Sequence, residues 1–144
     1  MTRFVFVAVL AALSGCRSAS ELAASADVRA LEPTTIELRA GETRAVQGVR
    51  IDFGRVESDS RCPSTVTCVW AGNAAVELQV SGAAGGGPSR RLVLNTGLDP
   101  KDGEALGLRI TLLALTPYPE VPGAIDGEAY RVRLDVRGAD FVAR

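Results

Sequence analysis

The sequence predicts an all-β fold, an antiparallel β-sandwich or small barrel of about seven to eight strands. Three observations predict it. Apolar residues beyond position 33 alternate with polar ones at a period of two. The alternating runs are short and are punctuated by clusters of Gly, Pro, Asp and Asn. After residue 34, no segment carries the i, i+3, i+4 apolar stripe of an amphipathic helix. A chain of 144 residues, 47% hydrophobic and 23% charged, suits one globular domain and not a disordered segment.

Thr34 to Leu38 (TTIEL) is a β-branched run that ends at an Ala40-Gly41 turn signal. Val49, Ile51 and Phe53 alternate with Arg50 and Asp52, as in a strand buried on one face, and Gly54 breaks that phase before Val56, which predicts a bulge or a bend. Ala74 to Val80 points Val76, Leu78 and Val80 to one side. Ser81 to Ser89 (SGAAGGGPS) is a glycine-rich loop that opens no helix, so it is not a phosphate cradle. Arg91 to Asn95 resumes the strand pattern, and Thr96 to Glu104 is dense in turn formers. Leu106, Leu108, Ile110, Leu112 and Ala114 share one face of the longest apolar segment, while Leu113 and Leu115 lie on the other. That predicts a central strand covered on both sides. Thr116 to Gly123 holds three prolines and reads as a rigid crossing from one sheet to the other, with an exposed protease-inhibitor loop around Tyr118 as the alternative. Tyr130, Val132, Leu134 and Val136 form the last alternating run.

Charge and composition narrow the function. Sixteen Lys and Arg balance 17 Asp and Glu, which argues against nucleic-acid binding through a basic surface. There is no histidine, and with it go the commonest general base, every Ser-His or Cys-His dyad and most zinc chemistry. No metal and no cofactor is expected.

The first residues read as a targeting segment. Arg3 precedes ten uninterrupted apolar residues, Phe4 to Leu13, a run too short to span a bilayer as a helix, which takes roughly 20 residues. Leu13-Ser14-Gly15-Cys16 follows, and this order of charge, apolar run and small-small-Cys resembles the lipobox of bacterial lipoproteins. The resemblance implies removal of residues 1–15, attachment of a diacylglycerol and palmitate-type acyl chains to Cys16, and a place in the bacterial cell envelope. Arg17 stands where an Asp would imply inner-membrane retention, which implies the outer membrane, facing the periplasm. Residues 16–33, rich in Ala and Ser, read as a tether, leaving 34–144 for the β domain.

Once Cys16 is set aside, Cys62 and Cys68 remain, five residues apart, in a protein expected to reach an oxidising compartment. The spacing is not C-x-x-C and no third ligand is at hand, so a structural disulfide is expected. Around it, Asp59-Ser60-Arg61-Cys62-Pro63 and Cys68-Val69-Trp70-Ala71-Gly72 (DSRCP…CVWAG) resemble a recurrent pattern in small, uncharacterised exported bacterial proteins and lipoproteins. Leu112 to Pro119 and the Tyr130 run resemble that family's C-terminal half, so the resemblance spans residues 49–137. It implies a fold and a disulfide, and no activity.

Two readings of this segment stand side by side. In the architectural one, Trp70 packs on the Cys62–Cys68 bridge, and Asp59 and Arg61 pair or bond loop carbonyls. In the functional one, Asp59, Arg61 and Trp70 form an exposed recognition loop. Elsewhere, Asp99, Asp102 and Glu104 could gather calcium but read as ordinary turn residues. Arg131, Arg133 and Arg137, with Arg109, read as a solvated strand face, or else as a stripe for anionic headgroups. Glu57 and Asp59 could share acid/base work. The function expected is therefore a monomeric, membrane-anchored envelope lipoprotein, a non-enzymatic binding or accessory module for an envelope protein or glycan. The alternatives are a carboxylate-based hydrolase of envelope glycan or peptide, and a protease-inhibitor-like domain.

Overall fold

The computed structural model describes residues 33–84, 87–123 and 125–139. The expected leader, Cys16 and the tether up to residue 32 lie outside the described residues. Eight strands are present among the described residues: β1 Thr34–Arg39, β2 Thr43–Val46, β3 Val49–Asp59, β4 Ala74–Gly82, β5 Ser89–Asn95, β6 Asp102–Ala105, β7 Leu108–Thr116 and β8 Arg131–Gly138. They form two four-stranded antiparallel sheets, ordered β1-β8-β7-β6 and β2-β3-β4-β5. The expected all-β sandwich is what the chain forms. Every neighbour within a sheet is consecutive in sequence except β8 and β1, so the chain runs around the sandwich like a flattened up-and-down barrel left open between β1 and β2 and between β5 and β6. No helix among the described residues is long and apolar enough to cross a membrane.

The core follows the period of two. Ile51, Phe53, Val76, Leu78 and Val80 of one sheet face Leu38, Ile110, Val132, Leu134 and Val136 of the other, all fully buried. Each such side chain contributes about 1.5–3 kcal/mol of burial. The expected break at Gly54 is there, as a register shift between Phe53 and Arg55, and a second shift follows between Val56 and Ser58.

Three sequence expectations are corrected. The first concerns Leu106, which belongs to no strand: with Gly107 it forms the two-residue turn between β6 and β7, both residues at positive φ (51° and 78°) as a type I′ hairpin requires. The second concerns β7, which is not covered on both faces. A register shift between Leu112 and Ala114 flips the phase, so Leu115 turns inward while Leu113 stays exposed. The third is the proline-rich segment, which does not cross between sheets but links β7 to β8 within one sheet. The actual crossings are residues 40–42 between β1 and β2, and residues 96–101 between β5 and β6.

The two ends of the sandwich differ in kind. At one end lie the tight turns Gln47-Gly48 and Leu106-Gly107, the β4–β5 loop and Thr34, the point where the chain from Cys16 enters the fold. The other end carries three longer connections, residues 60–73, 96–101 and 117–130.

Candidate functional site

The site is that second end. β3 and β4 deliver the cysteine loop, which the Cys62–Cys68 bridge closes with a Cα–Cα distance of 5.9 Å. Pro63 sets its first turn, where the Val66 N–H donates to the Pro63 carbonyl at 3.2 Å. The base of the loop is zipped by Ser60 N–H to the Asn73 carbonyl at 2.7 Å and by Cys62 N–H to the Ala71 carbonyl at 2.9 Å. Gly72 lies at φ +74°, and a Cβ there would run into the Ser60 carbonyl oxygen, so only glycine allows this closing strand to approach.

The other two connections dock on it. The β7–β8 segment accepts Ser64 N–H at the Pro119 carbonyl (2.9 Å) and Thr65 N–H at the Glu120 carbonyl (3.2 Å). The β5–β6 segment is tied through Asn73, whose Oδ1 accepts the Gly97 N–H at 2.9 Å and whose Nδ2 donates to Asn95 Oδ1 at 2.7 Å. A three-residue 3₁₀ turn at Gly127–Ala129, capped by Asp126, leads the chain back into β8.

Beneath these loops is an ionic clamp. Arg61 is 7% exposed, and its guanidinium is shared among three partners. Nε and Nη2 donate to the two oxygens of Asp59 at 2.9 and 2.6 Å, a bidentate pair. Nη1 donates to the Leu115 carbonyl and Nη2 to the Pro117 carbonyl, both at 2.8 Å. Its Cζ also stands 5.1 Å from the centroid of the Tyr118 ring, a cation–π contact. Asp59 is equally occupied: it accepts the Arg61 N–H at 3.1 Å and the Tyr130 hydroxyl at 3.0 Å. Burial works against the Asp59 charge, but the hydrogen bonds from Arg61 and Tyr130 outweigh it and hold the carboxyl below the usual carboxylate range. Tyr130 is pushed up to about 12, first by burial and then by the Asp59 carboxylate that its hydroxyl faces.

The pair thus joins β3 of one sheet to β7 and β8 of the other. Its carboxylate is held ionised and its phenol held protonated, which leaves neither poised to exchange a proton near neutrality. Glu57, the other carboxylate of the suggested catalytic pair, belongs to a separate network with Arg55, Arg91 and Glu77 on the outside of the second sheet.

Trp70 departs from the architectural expectation. Its ring is not packed on the bridge: the residue is 81% exposed, and its neighbour Val69 is 90% exposed. A loop of seven residues, Cys62 to Cys68, offers too little surface to cover an indole. Of the three residues suggested for a recognition loop, then, two are consumed inside and one is displayed outside. Trp70 has company. Val66 and Val69 share its loop, Leu98 comes from the β5–β6 connection, and Tyr118 and Val121 come from the β7–β8 connection, all exposed. Leu113, at the β7 bulge, completes the set of exposed large hydrophobics among the described residues.

The sequence reading missed Asn73 and Leu98 and gave the Tyr130 hydroxyl no partner, while Tyr118, which it named on an exposed loop, is exposed. A signal existed only for Tyr130: a tyrosine in phase with a buried strand face needs a partner for its hydroxyl.

The remaining candidates lie elsewhere. Asp102 and Glu104 stand on β6 and pair with Arg109 at 3.3 and 2.6 Å. Arg131, Arg133, Arg137 and Arg109 are all exposed on the outer face of the first sheet, where Arg137 is bonded to Asp135. A cleft of about 600 Å³ beside β1 is lined by Glu37, Arg39, Glu42 and Arg44. There Glu42 accepts the Arg39 N–H and an Arg44 N–H, which caps the sheet edge. No group of three His, Cys, Asp or Glu side chains able to hold a metal ion gathers among the described residues. Compared with known proteins, the chain matches no family model, no curated protein and no solved structure.

Proposed function

We propose that this chain is a lipid-anchored protein of the bacterial cell envelope whose β-sandwich is a non-enzymatic binding module. Cys16 carries the anchor, the outer membrane facing the periplasm is its place, and the tether through residue 33 holds the domain off the surface. One observation carries the binding reading: Trp70 stands 81% exposed on a disulfide-stapled loop whose one charged residue, Arg61, is bonded to Asp59 inside. An indole kept in water on a rigid loop has no folding role there, and rigid aromatic anchors are what binding surfaces are built from. The hydrolase alternative draws no comparable support, because Glu57 and Asp59 each have arginine partners and belong to separate networks.

The polarity of the domain fits the anchor. Thr34 enters at the tight-turn end, so the tether pulls on one end while the Trp70 end faces away from the attachment point. The test has two arms. Metabolic labelling with an alkyne fatty acid should mark the wild-type chain and not Cys16→Ser, which should also leave the membrane fraction. A photo-crosslinking residue at position 98 in living cells should form a discrete adduct that one at position 48 does not. Labelling that survives Cys16→Ser would refute the anchor, and equal crosslinking from both ends would refute the binding end.

A further inference from the structure

We infer that the Trp70 end docks a protein segment that combines large apolar side chains with Lys or Arg flanks, an inference that rests on the binding-module reading above. The shape is concave. One hollow of about 330 Å³ lies between Trp70 and Leu98, and a second of about 300 Å³ lies between Leu113 and Tyr118. Both share the same floor, Ala71-Gly72 and Gly97. At Gly97 a Cβ would meet the Gly72 carbonyl oxygen, so the two loops pass backbone against backbone and leave a bare ridge with an apolar hollow on each side. Such a surface accepts two apolar side chains from one partner segment lying across the ridge.

The rim sets the partner's charge. Residues 60–73 contain one charged side chain, Arg61, and it is buried against Asp59. Beside the lining residues, the other two connections carry Asp99, next to Leu98, and Glu120, two residues from Tyr118, against Lys101, all outside the core, while Asp126 and Glu128 flank Gly127 at a separate hollow. An acidic rim around an apolar floor attracts a cationic partner and repels anionic headgroups. It also repels itself across a two-fold axis, where each rim would face its own copy.

The chain's own outer segments do not suit it. Residues 140–144 reach about 18 Å at full extension, while β8, with its eight residues, puts the surface about 26 Å from their start, so these residues fall short of it. Residues 16–32 carry Glu21, Asp27 and Glu32 against Arg17 and Arg29, the same sign as the rim.

The test is selection of a random dodecapeptide phage library on the full-length lipoprotein in detergent micelles. Binding of the selected, dye-labelled peptides is then followed by anisotropy. The expected winners carry at least two large apolar residues and a net positive charge. Their affinity should fall about tenfold or more with Leu98→Asp or Trp70→Ser, the loss typical of a central anchor. Asp99→Lys with Glu120→Lys should weaken them and favour acidic peptides instead. Winners that need Trp70 but show no charge preference would overturn the partner's chemistry and leave the binding surface standing. Winners indifferent to both Trp70 and Leu98 would overturn the surface as well. A concentration-dependent dimer in sedimentation that Leu98→Asp dissolves would make the occupant a second copy. Binding to phosphatidylglycerol vesicles lost in Leu98→Asp would make it a lipid surface. Either result would refute a basic protein partner.

Discussion

The inside and the outside of one loop end divide the labour between them. A few residues apart in sequence, Arg61 is buried with its donors committed to Asp59, Leu115 and Pro117, and Trp70 stands in solvent. Arg61 joins two sheets that would otherwise be open at this corner, while Trp70 joins nothing in the fold. The tight-turn end offers no such division: two-residue type I′ turns hold β2–β3 and β6–β7, and no exposed large hydrophobic sits on them among the described residues. Long connections need internal anchors, and once those anchors are in place their outer faces are free to carry side chains for something else.

Substitutions should separate the two roles by size of effect. Arg61→Ala strands the Asp59 carboxylate and two carbonyl oxygens, and is expected to cost about 3 kcal/mol or more in urea unfolding. Cys62→Ser with Cys68→Ser, or reduction of the wild type, releases a loop of seven residues and should cost about 2 kcal/mol, read as a lower unfolding midpoint. Tyr130→Phe removes one hydrogen bond to a charged acceptor and should cost about 1.5 kcal/mol.

Tyr130 also gives a pH signature. Its folded pKa lies above its unfolded one, so its contribution is complete below pH 10.0 and is lost as pH rises through about 12. Tyr130→Phe should flatten that alkaline loss. Asp59 behaves in the opposite sense: its folded pKa is depressed from 3.8, so its contribution is present above that value and fades as pH falls below it. Arg61→Ala should flatten the acid limb. Trp70→Ser and Leu98→Asp come last in the order, with stability expected within about 0.5 kcal/mol of wild type. A loss of 2 kcal/mol from either would make the rim part of the core and erase the contrast.

Strands with a strong period of two were legible in the sequence. Val49, Ile51 and Phe53 announced β3, and Gly54 announced its bulge, because a glycine interrupts a pattern visibly. The bulge at Leu113 was not legible, since Leu112-Leu113-Ala114-Leu115 is apolar in both phases and a slip of one residue leaves no trace. β2 (TRAV) and β6 (DGEA) hold too few large apolar residues to register; they are strands because their hairpin partners make them so.

At the site, the Asp59–Arg61 pairing and the disulfide could be read from local spacing. The partners that make the pair a clamp, Leu115, Pro117 and Tyr130, lie 54 to 71 residues away along the chain. Whether Trp70 points in or out depended on how much surface the small loop could offer, a tertiary quantity that residue identity does not carry.

The most direct measurement uses the chain's single tryptophan. The emission maximum and acrylamide quenching of Trp70 in the native protein can be compared with those of the urea-unfolded protein. A displayed indole should emit at nearly the same red wavelength in both states and be quenched almost as readily when folded. A blue-shifted, protected native emission that moves to the red only on unfolding would mean that Trp70 packs on the Cys62–Cys68 bridge, and would contradict the division between an inner clamp and a displayed outer face.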